Sequence, residues 1–208
     1  MTKATRKVKE RELRRNDIIN AAEMLIFSKG YENVSMNDIA NQAEMARGTI
    51  YQYFINKDDI YAAIAIRAAN ILSETFIPII EKENTGIEKI KTICLLFYDF
   101  YKKNTGYYNA YYNTMMFDYK NSTNLEELMK IRRETFNIVV KIINEGIEDG
   151  TIRKDVDPAV TTLFMLSISY NVNNLIPVTR MYMNDYDLDQ DMLFERSLDL
   201  ALHSIESN

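Results

Sequence analysis

The chain has 208 residues, 47% of them hydrophobic, with only 6 glycines, 3 prolines and a formal net charge of -5. That length can bury a real core in one or two domains, and so few breakers with no strand-like alternation exclude a β-rich fold. One cysteine (Cys94) excludes an internal disulfide and one histidine (His203) a multi-histidine metal site in one subunit, while no apolar run approaches membrane-spanning length.

Those limits predict an all-α protein without a cofactor or a metal. The lone cysteine fits a reducing compartment, and the N-terminus carries no apolar signal region, so a cytoplasmic protein with no membrane association is expected. Charge is unevenly divided. Residues 1–57 carry ten Lys/Arg against seven Asp/Glu, whereas residues 58–208 carry 15 against 23. The excess of cations sits in an N-terminal arm, Lys3, Arg6, Lys7, Lys9, Arg11, Arg14 and Arg15. Local charge, not the whole-chain balance, decides attraction to phosphate.

After the arm, Ile18, Ile19, Ala22, Leu25, Ile26 and Phe27 recur at helical spacing, and Gly30 supplies the left-handed residue that ends such a helix. Ser35 and Asp38 match a capping box, with Val34 and Ile39 as the hydrophobic staple of a second helix. Ile39, Ala40 and Ala43 give it one small apolar face. A third helix is predicted over residues 47–54. Asn56 with Asp59, stapled by Ile55 and Ile60, then opens a fourth. The 47–54 helix carries Arg, Gly, Thr, Tyr and Gln on one surface, a mix suited to a helix laid in a DNA groove.

The run Ile39-Ala40…Ala43-Glu44-Met45-Ala46-Arg47-Gly48-Thr49-Ile50-Tyr51-Gln52-Tyr53-Phe54-Ile55-Asn56-Lys57-Asp58-Asp59 resembles the DNA-binding domain of the TetR/AcrR family of transcriptional regulators. The resemblance implies a homodimer on a palindromic double-stranded DNA operator, released when a small molecule enters the C-terminal domain. Two positions depart from the family pattern: Glu44 replaces the usual turn glycine and Ala46 a frequent serine. A positive φ at Glu44 costs on the order of 1 kcal/mol, and losing a side-chain cap at Ala46 about as much again.

Roles follow for individual residues. Arg47, in the first turn, can reach guanine O6 and N7 in the major groove. Gly48 lets backbone approach DNA closely, since a mid-helix glycine without such a reason costs roughly 1 kcal/mol. Thr49, Tyr51 and Gln52 are candidates for base or phosphate contact, and Tyr53 and Lys57 for phosphate contact. Ser35 faces the DNA backbone in the family pattern, although capping alone would explain it. Ile50 and Phe54, four apart, are expected to pack inward.

The domain boundary is placed at 56/57, with residues 1–56 as arm and helix-turn-helix domain and 57–208 as a larger helical ligand-binding and dimerisation domain. Helices are predicted over 57–80, 86–103, 107–119, 125–149, 159–176 and 188–203. Ile87, Ile90, Ile93, Cys94, Phe97 and Tyr101 form an apolar stripe, Gly150 closes the long helix, and Asp157-Pro158 opens the next. The 159–176 helix is apolar nearly all round, so both of its faces need cover. Its Phe164, Ser167 and Asn174, with Phe194, Leu198 and Ala201 of the last helix, are the expected dimer interface; closing the chain's own core is the competing explanation.

Residues 97–119 are dense in aromatics and methionine. Phe97, Tyr101, Tyr108, Tyr111, Tyr112, Met115 and Met116, with Asn171, are candidate walls of a pocket for an apolar or aromatic effector. Asn171, Asn173 and Asn174 either add polar contacts there or set register at an interface. No phosphate-cradling loop or nucleophile elbow is present, Cys94 reads as inert, and local ion pairing with Asp199 and Glu206 explains His203. The reading is a ligand-responsive repressor and not an enzyme. The competing class is a helical small-molecule-binding module without specific DNA recognition.

Overall fold

The computed structural model describes residues 3–80, 85–114 and 122–207, and of the side chains at 3, 4, 76, 77, 79, 80 nothing is described. Ten α-helices and no strand occur among the described residues, apart from one isolated bridge between Ile152 and Glu206. By packing the chain divides into two compact units, Met1–Asn70 with Asn104–Ile131, and Ile71–Lys103 with Arg132–Asn208. That division differs from a boundary at 56/57, because residues well beyond the three small helices bury their apolar side chains beside them.

In the first unit, α1 (Lys3–Lys29) absorbs the basic arm as its opening turns. Lys, Arg and Glu are good helix formers, and Glu10 and Arg14 pair at 3.2 Å across one turn. Ile18, Ile19, Ala22, Leu25 and Ile26 are buried as the spacing requires. Phe27 instead leans out of the core and meets Tyr107 edge-on, ring centroids 5.1 Å apart. Tyr107 belongs to α6 (Thr105–Asn113), and any side chain at Gly106 would come within 2.6 Å of the Phe27 ring. Of the predicted 107–119 helix, residues 115–121 lie outside the described ones.

Gly30 takes φ 83 and a short 3-10 turn, Tyr31–Asn33, leads to α2 (Met36–Gln42). Its capping box is complete: the Asp38 N–H donates to Ser35 Oγ at 3.2 Å and the Ser35 N–H to Asp38 Oδ2 at 2.8 Å. Glu44 turns the chain with φ 53 in the glycine position. Then α3 occupies only Arg47–Ile50, shorter than the predicted 47–54. Ala46 offers no side-chain cap, and Gly48, Thr49 and Ile50 are weak helix formers. Beyond Ile50 the chain tightens, with Tyr53 N–H on Ile50 O at 3.0 Å and Phe54 N–H on the same oxygen at 3.0 Å. Ile50 and Phe54, both buried, anchor this short segment from within.

Helix α4 (Lys57–Ile80) begins at the Asn56 cap, whose side-chain oxygen accepts from the Asp59 N–H at 2.8 Å. The return bond reaches one residue further back than a capping box, from the Ile55 N–H to Asp59 Oδ2 at 3.2 Å. Asp59 is buried, and its other oxygen accepts from Ser122 Oγ at 2.6 Å and Asn124 Nδ2 at 2.7 Å. Arg15 donates to Asn124 Oδ1 at 2.6 Å. Every residue from Ile60 to Ala65 is buried, more than one face of a helix.

The second unit contains α5 (Gly86–Lys103), the later part of α7 (Thr123–Glu148), α8 (Pro158–Asn173), α9 (Pro177–Asp185) and α10 (Gln190–Ile205). Gly86 and Gly146 touch backbone to backbone: a Cβ on Gly86 would lie 2.2 Å from the Gly146 Cα. Gly150, φ 81, closes α7 as predicted, and Asp157 caps α8 through the Val160 N–H at 2.8 Å. Helix α8 stops earlier than 176. Pro177 holds Ile176 extended at ψ 157 and starts α9, a separate helix that the apolar pattern had hidden.

Candidate functional site

Helix α3 turns one side inward through Ile50 and leaves the rest open. Arg47, Gly48, Tyr51 and Gln52 are exposed, and Thr49 and Tyr53 are half-buried. Arg47 lies 5.6 Å over the Tyr51 ring and donates to its hydroxyl at 3.3 Å, one turn away. The guanidinium is therefore held on the outer face with its remaining N–H groups outward. A Cβ built on Gly48 meets nothing within 4 Å, so no packing inside the chain explains a glycine there.

The flanking candidates are tied more closely to the protein. Lys57 Nζ donates to the Tyr31 carbonyl at 2.8 Å and sits 4.0 Å over the Tyr31 ring. The Tyr31 hydroxyl donates to Asp58; burial first and this carboxylate second push its pKa up. Tyr53 lies under Arg11 at 5.9 Å, so the basic start of α1 is aligned with the α3 face. Ser35 is exposed, yet its hydroxyl and backbone N–H both point at Asp38, 2.6 and 2.8 Å away. Those bonds hold the Asp38 carboxyl below the usual range and leave Ser35 few donors for phosphate.

The expected effector residues fall into both units. Tyr108, Tyr111 and Tyr112 belong to the first, where Tyr108 and Tyr111 are buried and Tyr112 contacts both rings, centroids 4.5 and 5.3 Å away. Phe97, Tyr101 and Asn171 belong to the second; Met115 and Met116 lie outside the described residues. Phe97 lines a cavity of about 30 Å3 with Ile90, Ile93, Cys94, Val139, Thr162, Met165, Leu166 and Ser169. The Cys94 thiol there is pushed up to about 12 by burial, which keeps it protonated and inert. Tyr101 accepts from Gln190 Nε2 at 3.2 Å. Asn171 is exposed on the outer side of α8, where it lines an open groove and donates to the Ser167 carbonyl at 2.8 Å.

Helix α8 is covered on one side only. Val160, Leu163, Phe164 and Tyr170 stay 63, 55, 46 and 41% exposed, while Thr161, Thr162, Met165, Ser169, Val172 and Asn173 are buried. An open groove of about 500 Å3 runs along that outer side, lined in part by Phe164, Ser167, Asn174 and Ser197. The α10 residues expected at a dimer interface point inward in this chain. Phe194, Leu198 and Ala201 are buried in the chain's own core, Phe194 stacked at 3.8 Å on Tyr98. Leu200, two residues beyond Leu198 and so on the opposite face of the helix, is 75% exposed. His203 also differs from expectation, with Nδ1 on the Asp199 backbone carbonyl at 2.8 Å and not on a carboxylate.

Sequence reasoning weighed Asn173 but passed over Ser169. Ser169 Oγ and both amide atoms of Asn173 are buried without a hydrogen-bond partner among the described residues. Such groups each cost about 1–3 kcal/mol. Their spacing from Thr162 and Met165, in steps of three and four, was the available signal.

A short outward-facing helix, anchored from inside and preceded by a tight turn from a capped partner, defines a helix-turn-helix DNA-binding protein. A model described as "Bacterial regulatory proteins, tetR family" matches residues 18–64, and one described as "Tetracyclin repressor-like, C-terminal domain" matches residues 83–174. The chain belongs to the TetR family of DNA-binding transcriptional regulators; it is not an enzyme. It is 26% identical over 201 residues to the fatty acid metabolism regulator protein of Bacillus subtilis (strain 168), covering 96% of this chain and 100% of that one. A TetR/AcrR-family regulator from Thermobifida fusca YX-ER1 has a similar structure, TM-score 0.68 at 27% identity, covering 91% of this chain and 96% of the other. FadR from Bacillus subtilis, solved in complex with stearoyl-CoA, shares the fold with TM-score 0.67 at 24% identity over 89% of this chain and 96% of its own. Among the described residues no helix is long and apolar enough to cross a membrane.

Proposed function

We propose that the chain is a repressor that binds a palindromic operator as a homodimer and leaves it when an apolar small molecule, foremost a long acyl group, occupies the second unit. The observation that carries the DNA half is the open α3 face, where Arg47 is braced on Tyr51 beside a glycine that nothing inside the chain requires. Arg47 reads a base edge, Gly48 admits the backbone, and Thr49, Tyr51, Gln52 and Tyr53 complete the contact. Lys57 and Ser35 serve the phosphates as secondary contacts, since both already have partners within the protein.

Dimerisation is supported by the uncovered apolar side of α8 and by the demands of reading two half-sites about 34–36 Å apart. Phe164, Ser167 and Asn174 take part; on α10 the exposed Leu200 replaces the three core residues. The acyl effector is supported by the likeness to the fatty acid metabolism regulator and by the apolar cavity around Phe97. Effector and DNA must weaken each other by the same factor, because the coupling is reciprocal.

The test is to titrate the protein onto DNA from upstream of its own coding region with and without long-chain acyl-CoA. Release of DNA with rising acyl-CoA supports the reading. Binding that acyl-CoA leaves untouched removes the acyl effector, and binding no stronger than to random DNA removes the repressor.

A further inference from the structure

We propose that Ser169 and Asn173 are the polar anchor of the effector site, and that they recognise an uncharged carbonyl group on an otherwise apolar ligand. This rests on the ligand-responsive reading above. Helix α8 places Thr162, Met165, Ser169, Val172 and Asn173 in one buried stripe. Several other polar side chains of this segment turn back onto their own helix. Thr162 donates to Pro158 O at 2.8 Å, Ser167 to Leu163 O at 2.8 Å, Asn171 to Ser167 O at 2.8 Å and Asn174 to Tyr170 O at 2.9 Å. Ser169 and Asn173 have no such bond among the described residues, although every helical serine has a carbonyl one turn back within reach. Their polar atoms are turned into the core instead.

Ser169 lines the cavity between α5, α7 and α8, beside Ile90, Ile93, Phe97, Val139 and Met165. The space is about 30 Å3, so an acyl chain enters it only as the walls repack. Met165 in its wall is unbranched and adapts readily to a new neighbour. One turn further along α8, beyond the cavity lining, the buried Asn173 carries two donors and an acceptor that a ligand extending past Ser169 would meet. A carbonyl oxygen accepting from these groups makes hydrogen bonds that are otherwise unmade, and its hydrocarbon chain matches the surrounding walls.

The same surroundings reject charge. The cavity lining contains no Lys, Arg, Asp, Glu or His among the described residues, and the Cys94 thiol is held neutral. A carboxylate brought here would be stripped of water without a cation to pair with. An ester, thioester or amide carbonyl keeps its hydrogen bonds and bears no such penalty. The ligand class is therefore an acyl derivative, not a free fatty acid.

The experiment compares wild type with Ser169→Ala and Asn173→Leu, using methyl decanoate and decanoate near neutral pH as probes. Melting temperature is recorded without ligand, and release of DNA taken from upstream of the coding region is recorded with each probe. On wild type, methyl decanoate should act at concentrations at least about tenfold lower than decanoate. In each variant the methyl decanoate needed for half-release should rise about tenfold, the loss of one hydrogen bond, while the melting temperature stays at or above that of wild type. A lower melting temperature with an unchanged methyl decanoate response makes the two residues structural and overturns the proposal. Equal potency of decanoate overturns the neutral-carbonyl assignment. Wild type that binds the DNA but answers neither probe overturns the effector reading itself, which the variants alone cannot do.

Discussion

Helices α3 and α8 treat their side chains in opposite ways. Around α3 the rule of apolar inside and polar outside holds: Ile50 and Phe54 are buried, Arg47 and Gln52 exposed, and the neighbouring caps at Ser35 and Asn56 are satisfied. Helix α8 reverses the rule, with Leu163 and Phe164 facing out and Ser169 and Asn173 buried without partners. A segment that keeps apolar side chains inside and polar ones outside announces its fold, and one that reverses them marks where something else must complete it. On α3 that something approaches an open polar face. On α8 the proposed completions are a second copy outside and a ligand within.

The sharpest test of this contrast sets two substitutions side by side. Phe164→Glu should abolish the dimer, seen in sedimentation as a monomer that still melts cooperatively. Leu198→Ala should leave association in place but cost about 2–5 kcal/mol of stability in chemical denaturation, the penalty for emptying a core site. Reversed outcomes would show that inner and outer faces have been confused. On the DNA side, Arg47→Ala or Tyr51→Ala should weaken operator binding by about 1–3 kcal/mol while leaving the dimer intact. Unchanged affinity in both variants would reject the assigned face.

A smaller effect is expected at Gly48, where stability and function should move apart. Gly48→Ala has open space for its methyl group and should gain up to about 1 kcal/mol of stability from helix propensity. Operator affinity should fall, because the methyl group meets DNA instead. If both rise together, close approach of backbone to DNA is not the reason for the glycine. The weakest effect concerns acid. Asp38 is held below its ordinary value by the Ser35 bonds, so its contribution is complete above the unfolded carboxylate range and is lost as pH falls through the folded value. Melting temperature should decline below about pH 4, and Asp38→Asn should flatten that decline; an identical acid profile would show that the carboxylate contributes nothing.

Most of the first unit was legible in the sequence because its signals are local. The Ser35 and Asn56 caps, the left-handed Gly30 and the inward Ile50 and Phe54 depend on residues within one turn of each other. The length of α3 was not legible, since a run of weak helix formers ends early once Ile50 and Phe54 are pinned inward. On α8 and α10 the pattern supplied apolar residues on every side, and periodicity cannot choose a face under that condition. Periodicity therefore leaves the inward facing of Phe194, Leu198 and Ala201 undecided, and only Pro177 marks where α8 gives way to α9. The Asp59–Ser122–Asn124 cluster joins residues more than sixty positions apart, and nothing in the sequence advertises it.

The central claim is that the face built on Arg47, Gly48 and Tyr51 reads a defined DNA sequence. The direct measurement is affinity for the protein's own upstream DNA against random DNA of equal length across a salt series. Preference for the upstream DNA by about a thousandfold or more at physiological salt, with a steep loss of affinity as salt rises, is the predicted result. Equal and weak binding to both would contradict it.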